Sequence, residues 1–422
     1  MNNSYSPRIV HWLGIFCVVL GVFWITPATA QDGSRTVREE IGKPVQAALD
    51  LLKHKKGKEA LDRVRETDVA RDKTAYEVFL IDQVRGQAAA LAGEAAVAAS
   101  AFEAAAASPV ATEKEKLQFL VAASGQFYVA KDYAKAADLA RRYFTDSGGD
   151  KALRTLQIQS LYLGNNYAQA ARELQADIQT EEQAGKVPSE ERLRLLSSIF
   201  QKQQDSEGYA ATLEALLSYH PKADYWVAAI DGMTRRSGFP DRLTLDVSRL
   251  KLATATLRTA DEYVEAAQLA LLAGFPAEAK KFIDAGYAAG LLGTGQDPER
   301  HKRLKDLVAK NLAEDDKTLG QDDVQPATTK DGATLLNCGL KHVLHSRSDK
   351  GLGMMEVGLG KGGIKYPKDA WLHLGYAYYL AGQPQKAIHI FNKIQKEEKN
   401  IQKEEGAAVL GRLWVIRLGQ AS

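Results

Sequence analysis

Apolar residues recur three and four positions apart along most of the chain, the spacing of one face of an α-helix, and runs of strict apolar–polar alternation are hard to find. The stretch Trp371 to Ile394, WLHLGYAYYLAGQPQKAIHIFNKI, shows the pattern best. Leu374 and Tyr378 lie four apart on one predicted helix, Ala387 and Phe391 repeat that spacing on a second, and Gly382 opens the turn between them. Gly375 gives the second helix room to approach closely, with small Ala387 at the crossing and the Phe391 ring filling the space beside it. Such a hairpin cannot bury its apolar face alone; stacked copies can.

The small residue of the second helix serves as a ruler for further copies. Ala60, Ala98, Ala136 and Ala170 are spaced by 38, 38 and 34, and Ala98 follows Gly86 and precedes Phe102. Tyr209 is 39 further on, Ala279 lies two periods of 35 beyond it, and Gly351 stands 36 before Ala387. The copy around Trp226 to Leu252 is degenerate, and Asp82 and Arg85 stand where apolar residues are expected. The pattern predicts an all-α fold, an α-solenoid of eight or nine helical hairpins over Glu40 to Gly419. Ala, Leu, Glu, Lys and Gln dominate, which raises helix propensity throughout.

Three segments depart from the repeat. Residues 1–30 hold an apolar run of 17 residues, Ile9 to Ile25, then Ala28-Thr29-Ala30, and read as a signal peptide cleaved after Ala30; an uncleaved membrane anchor is the alternative. The acidic stretch EDDKTLGQDDVQPATTKDG reads as a linker or hinge over 315–332, dividing an N-terminal array at 31–314 from a C-terminal block at 333–422. The last helix, GAAVLGRLWVIRL, would cap the open apolar end of that block.

With 55 Lys plus Arg against 53 Asp plus Glu and a net charge of +2, the chain has no electrostatic footprint for nucleic acid, and its 45% hydrophobic content excludes a disordered chain. Removal of 1–30 takes away Cys17 and leaves Cys338 without an intramolecular partner. An exported protein without disulfides points to a Gram-negative periplasm.

Trp371, Leu374, Gly375, Tyr378, Gly382, Ala387 and Phe391 stand at the spacings of the tetratricopeptide repeat (TPR), which this segment resembles. The resemblance implies a scaffold or adaptor that binds protein partners, without catalysis and without a cofactor. Tyr128, Tyr162 and Tyr379 share one place in the first helix of their repeats, and Gln159 and Tyr376 fall at positions that line the inner concave surface in that family. These side chains either grip a peptide or pack against the neighbouring repeat. Tyr133 and Tyr167, 34 apart, match a packing position.

The run MMEVGLGKGGIKYPKDAWLHLGYAYYLAGQPQKAIHIFNKI with LGRLWVIRL is similar to the C-terminal region of bacterial TPR proteins encoded beside TonB, ExbB and ExbD. That likeness implies an accessory role in TonB-energised uptake, with those components or outer-membrane receptors as partners. Envelope assembly is the alternative among binding roles, and the sequence leaves the oligomeric state open. Cys338, His342 and His345, at i, i+4 and i+7, are zinc-type ligands on one helix face and would suit a metal or small-ligand receptor, but packing explains them as well. Gly358, Gly360 and Gly363 match G-x-G-x-x-G without the strand that motif requires and read as an inter-repeat turn.

Overall fold

The computed structural model describes residues 36–295, 297–319, 331–396 and 406–420. The predicted signal peptide, 1–30, lies outside the described residues. Among the described residues the fold is all-α, with twenty α-helices, two short 3₁₀ turns and no strand, and no helix is long and apolar enough to cross a membrane. The chain divides into two compact units, one ending at Gln179 and one beginning at Thr180.

The first unit is built from α1 (Glu39–Lys53), α2 (Gly57–Arg65), α3 (Ala75–Ala92), α4 (Ala95–Ala107), α5 (Glu113–Val129), α6 (Tyr133–Asp146), α7 (Arg154–Leu163) and most of α8 (Tyr167–Gln183). From α1 to α7 each helix packs on the next, and α1 also touches α3 as α5 touches α7. Thr74 and Thr112 open α3 and α5 with full capping boxes, their hydroxyls accepting from the backbone N–H groups of Glu77 and Glu115. Arg38 clamps the fully buried Glu77 at 2.9 Å, and that contact, against the opposing pull of burial, holds the Glu77 carboxyl down at about 2.

The second unit holds α9 (Glu190–Gln203), α10 (Ser206–Tyr219), α11 (Ala223–Thr234), α12 (Thr244–Ala253), α13 (Ala260–Leu272), α14 (Pro276–Ala288), α15 (Pro298–Thr318), α16 (Gly332–Leu344), α17 (Ser348–Lys361), α18 (Pro367–Leu380), α19 (Pro384–Lys396) and α20 (Gly406–Gly419).

The repeat reappears in the backbone. Five residues before each ruler position stands a residue in the left-handed region: Lys55, Gly93, Lys131, Asn165, Gln204, Gly274, Ser346 and Gly382, with φ between 58° and 80°. In every case the N–H of the next residue donates to the carbonyl five positions back, as in Asp132 to Phe127 and Gln383 to Tyr378, both at 2.9 Å. That is a Schellman closure ending the first helix of each hairpin. Ala60, Ala98, Ala136, Ala170, Ala279 and Ala387 are all fully buried, while Tyr209 is half-buried. A β-carbon on Gly86 would lie 2.5 Å from the Phe102 ring, and one on Gly375 would clash with that of Phe391.

Two expectations about the chain's subdivision differ from what the helices show. The acidic segment does not begin as a linker at 315: α15 continues to Thr318 and Leu319 is buried, because Asp315 pairs with Lys341 at 2.5 Å and with His345 at 2.8 Å. The rest of that segment, 320–330, lies outside the described residues. Residues 333–420 also belong to the same unit as the helices from α9 onward. The last helix, α20, packs on α18 and α19 but also on α10 and α12, with Arg412 3.2 Å from Glu214 and Arg417 donating to the Ala253 carbonyl at 2.8 Å. Contacts across such long sequence separations tie the block back to the preceding helices.

Candidate functional site

In the first unit, α5 and α7 present the predicted tyrosines in matching surroundings. Tyr128 meets Tyr133 edge-on, with ring centres 5.6 Å apart and an interplanar angle of 69°. Tyr162 meets Tyr167 at 5.6 Å and 67°. Each pair joins the end of one first helix to the start of the following second helix, so Tyr133 and Tyr167 pack as their spacing suggested. Tyr128 and Tyr162 remain half-exposed, and Gln159, one turn before Tyr162, is exposed. Burial pushes the Tyr128 phenol up from its ordinary value, with Tyr133 adding to the effect.

Gln83 and Gln87 on α3, Gln118 on α5, and Thr155 and Gln159 on α7 also lie on the first helices of their hairpins, all half-buried or exposed. Amides, hydroxyls and aromatic rings without a formal charge line these positions. Such groups read a polypeptide backbone through hydrogen bonds and flat apolar contact.

The corresponding positions of the second unit are occupied by the protein itself. Tyr376, expected on the inner concave surface, is only 4% exposed, with Arg249 4.8 Å above its ring and Trp414 5.8 Å away. Tyr379 is half-buried against Trp414 at 4.9 Å. Helices α12, α14 and α20 supply these groups, and a site for an external ligand at Tyr376 is thereby closed.

What fills that space is a buried ionic network that the periodicity did not reveal. Arg249 donates to Asp246 at 2.7 Å and to both oxygens of Glu278 at 2.9 and 2.7 Å. His373 lies 3.2 Å from Asp246, and Arg242 donates to Asp369 at 2.6 Å while covering the Tyr366 ring at 4.0 Å. Both pairs, Arg242 with Asp369 and Asp246 with His373, span 127 residues, so the 3₁₀ turn Asp241–Leu243 and the first turn of α12 meet the first half of α18 in parallel order. Burial works to raise the Asp246 carboxyl, but His373 and Arg249 outweigh it and hold it at about 2. Burial drives the Tyr376 phenol well above its usual range, reinforced by Glu278. The only signal in sequence was an Asp and an Arg three apart in the helix TLDVSRLKLA.

His345, the C-cap of α16, directs its two ring nitrogens to Asp315 at 2.8 Å and Asp316 at 3.0 Å, while His342 is fully buried and Cys338 half-buried. Among the described residues no group of three His, Cys, Asp or Glu side chains is placed to hold a metal ion. Of the glycine motif, Gly358 lies inside α17, where a β-carbon would meet the Gly332 carbonyl at 2.8 Å; Gly360 is also helical, and Gly363 turns the chain at φ 72°.

No family model and no curated protein matches the chain. Among solved structures it is similar to a chain in the Naa15/Naa10 complex bound to HypK-THB, at 14% identity and TM-score 0.31, over 86% of its own length and 59% of that chain. It is also similar to the TPR domain of P58(IPK), at 13% identity and TM-score 0.23 over 90% of its length and 97% of that chain. Yeast Tom70 is matched at 10% identity and TM-score 0.20 over 90% of this chain and 95% of that one. Scores this low do not superimpose the arrays, so the assignment to an all-α array of TPR-like hairpins rests on this chain's own turns, crossings and spacings.

Proposed function

We propose that the protein is a non-catalytic scaffold of the bacterial periplasm that binds a protein partner along the first helices of its N-terminal unit. The observation that carries this reading is the repeated, uncharged tyrosine and glutamine surface around Tyr128, Gln159 and Tyr162, set against the self-occupied counterpart around Tyr376. Half-exposed tyrosines held edge-on by a second ring lose little freedom on binding, which suits them as contact anchors. The apolar run at 9–25 and Ala28-Thr29-Ala30 support export, and the C-terminal likeness supports an accessory role in TonB-energised outer-membrane uptake.

The test is crosslinking of the tagged full-length protein in cells, followed by mass spectrometry of what is captured. Recovery of TonB, ExbB, ExbD or an outer-membrane receptor is the expected result. Capture of outer-membrane assembly, secretion or cell-wall machinery would discard the uptake role and keep the scaffold. Capture of cytoplasmic proteins alone would overturn the periplasmic assignment.

A further inference from the structure

The second unit carries a charged surface that the scaffold reading does not use. Between Val357 and Lys396 the sequence has six lysines and one acidic residue, Asp369, with Glu356 directly before this stretch and Glu397 and Glu398 directly after it, in a chain whose overall net charge is only +2. Asp369 is 7% exposed and held by Arg242, so it does not screen the lysines from outside. Helix α19, PQKAIHIFNKIQK, contains no carboxylate at all.

Along α19, Lys386, His389, Lys393 and Lys396 are spaced i, i+3, i+7 and i+10, which sets them in one stripe. Lys386, His389 and Lys396 are exposed and Lys393 is half-buried. None of the three lysines pairs with a carboxylate among the described residues. Two of them lie over aromatic faces instead, Lys393 at 3.5 Å from the Trp371 ring centre and Lys386 at 5.4 Å from that of Tyr378. A ring face fixes the position of an ammonium without neutralising it, and leaves its N–H groups directed outward.

We propose that this stripe is a docking surface for an acidic polypeptide segment, separate from the tyrosine surface of the first unit. The stripe runs about 15 Å along the helix axis. An extended chain sets alternate side chains about 6.6 Å apart on one face, so two or three carboxylates fall along that length. An acidic peptide fits better than a lipid surface, because α19 exposes no large apolar side chain to enter a bilayer.

The test uses the full mature chain and a dye-labelled polyglutamate peptide of about 12 residues, long enough to cover the stripe, followed by fluorescence anisotropy. Neutralising Lys386→Gln, Lys393→Gln and Lys396→Gln together should weaken binding about tenfold, since each exposed ion pair contributes a factor of about two. Binding should also fall steeply between about 0.05 M and about 0.5 M salt. A control with Lys55→Gln, Lys56→Gln and Lys58→Gln, three exposed lysines of the first unit, should bind as wild type. The single reversal Lys396→Glu weakens binding without touching the Trp371 contact, and covers the case of a misfolded triple variant. Equal loss in both triple variants, or no loss in the α19 variants, overturns the proposal. So does binding to phosphatidylglycerol vesicles with none to the peptide, which would assign the stripe to a lipid surface.

Discussion

Arg249 and Glu278 meet in a two-point ion pair, 2.9 and 2.7 Å, where the two residues are 2% and 0% exposed. Truncating one side leaves the other charge buried and half-paired, a change worth about 3–5 kcal/mol in comparable settings. Glu278→Ala should therefore destabilise the second unit by about that amount. In a chain starting at Gln31, without Trp12 and Trp24, the tryptophans are Trp226, Trp371 and Trp414, all in this unit, so urea unfolding followed by tryptophan emission measures it.

Asp246 adds a pH dependence of defined sign. Its carboxyl is held at about 2 in the folded state against an ordinary value of 3.8. A depressed acid stabilises the fold above its unfolded value and loses that contribution as pH falls through the folded one, here between about 4 and about 2, for a total of about 2 kcal/mol. The tryptophan-monitored midpoint should drop across that window, and Asp246→Asn should flatten the drop.

At Gly375 the missing side chain is the reason α18 and α19 can approach. Gly375→Ala forces the Phe391 ring out of its place and should cost about 1–3 kcal/mol. Gly86→Ala meets Phe102 in the same way and should destabilise the first unit by a similar amount, read by far-ultraviolet circular dichroism. No change at either site would show that the ring has another place to go.

Lys131 adopts φ 64°, a conformation that glycine takes without strain. Lys131→Gly should raise the stability of the first unit by about 0.5–1 kcal/mol, measured by thermal melting. The same change at an ordinary helical lysine should lower it.

Tyr128→Ala combined with Tyr162→Ala should weaken capture of the crosslinked partner by more than about 1 kcal/mol, with the melting curve of the second unit unchanged. Lower thermal stability of the first unit with full capture would assign both rings to packing.

The hairpins were legible because each is closed by contacts within about 40 residues, and those contacts impose a fixed chemistry. A small residue sits at the ruler positions other than Tyr209, a left-handed residue five positions earlier, and a glycine under a phenylalanine at 86 and 375. The fate of Tyr376 was not legible. Its place in the repeat is the same whether solvent, a partner or another helix lies opposite, and only Arg249, Glu278 and Trp414, brought in from distant segments, settle it. The acidic stretch misled for a related reason. Asp315 and Asp316 read as solvated until Lys341 and His345 are set against them. For the candidate surface in the first unit, sequence supplied Tyr128, Gln159 and Tyr162 and their spacing, while Gln83, Gln87, Gln118 and Thr155 and the edge-on pairing of the rings needed coordinates.

Docking of α20 on α10 and α12 also imposes an order on assembly. From α1 to α7 each helix meets its neighbours soon after it is made, so the first unit can consolidate progressively as the chain emerges. In the second unit Glu214, Leu217 and Ala253 wait for Arg412, Gln420 and Arg417, which follow them by 198, 203 and 164 residues. A chain truncated before α20 would lose the Trp414 ring stacked on Phe391 and the Gly411 backbone beside Ile394, leaving that apolar seam open, a natural target for proteolysis of incomplete molecules.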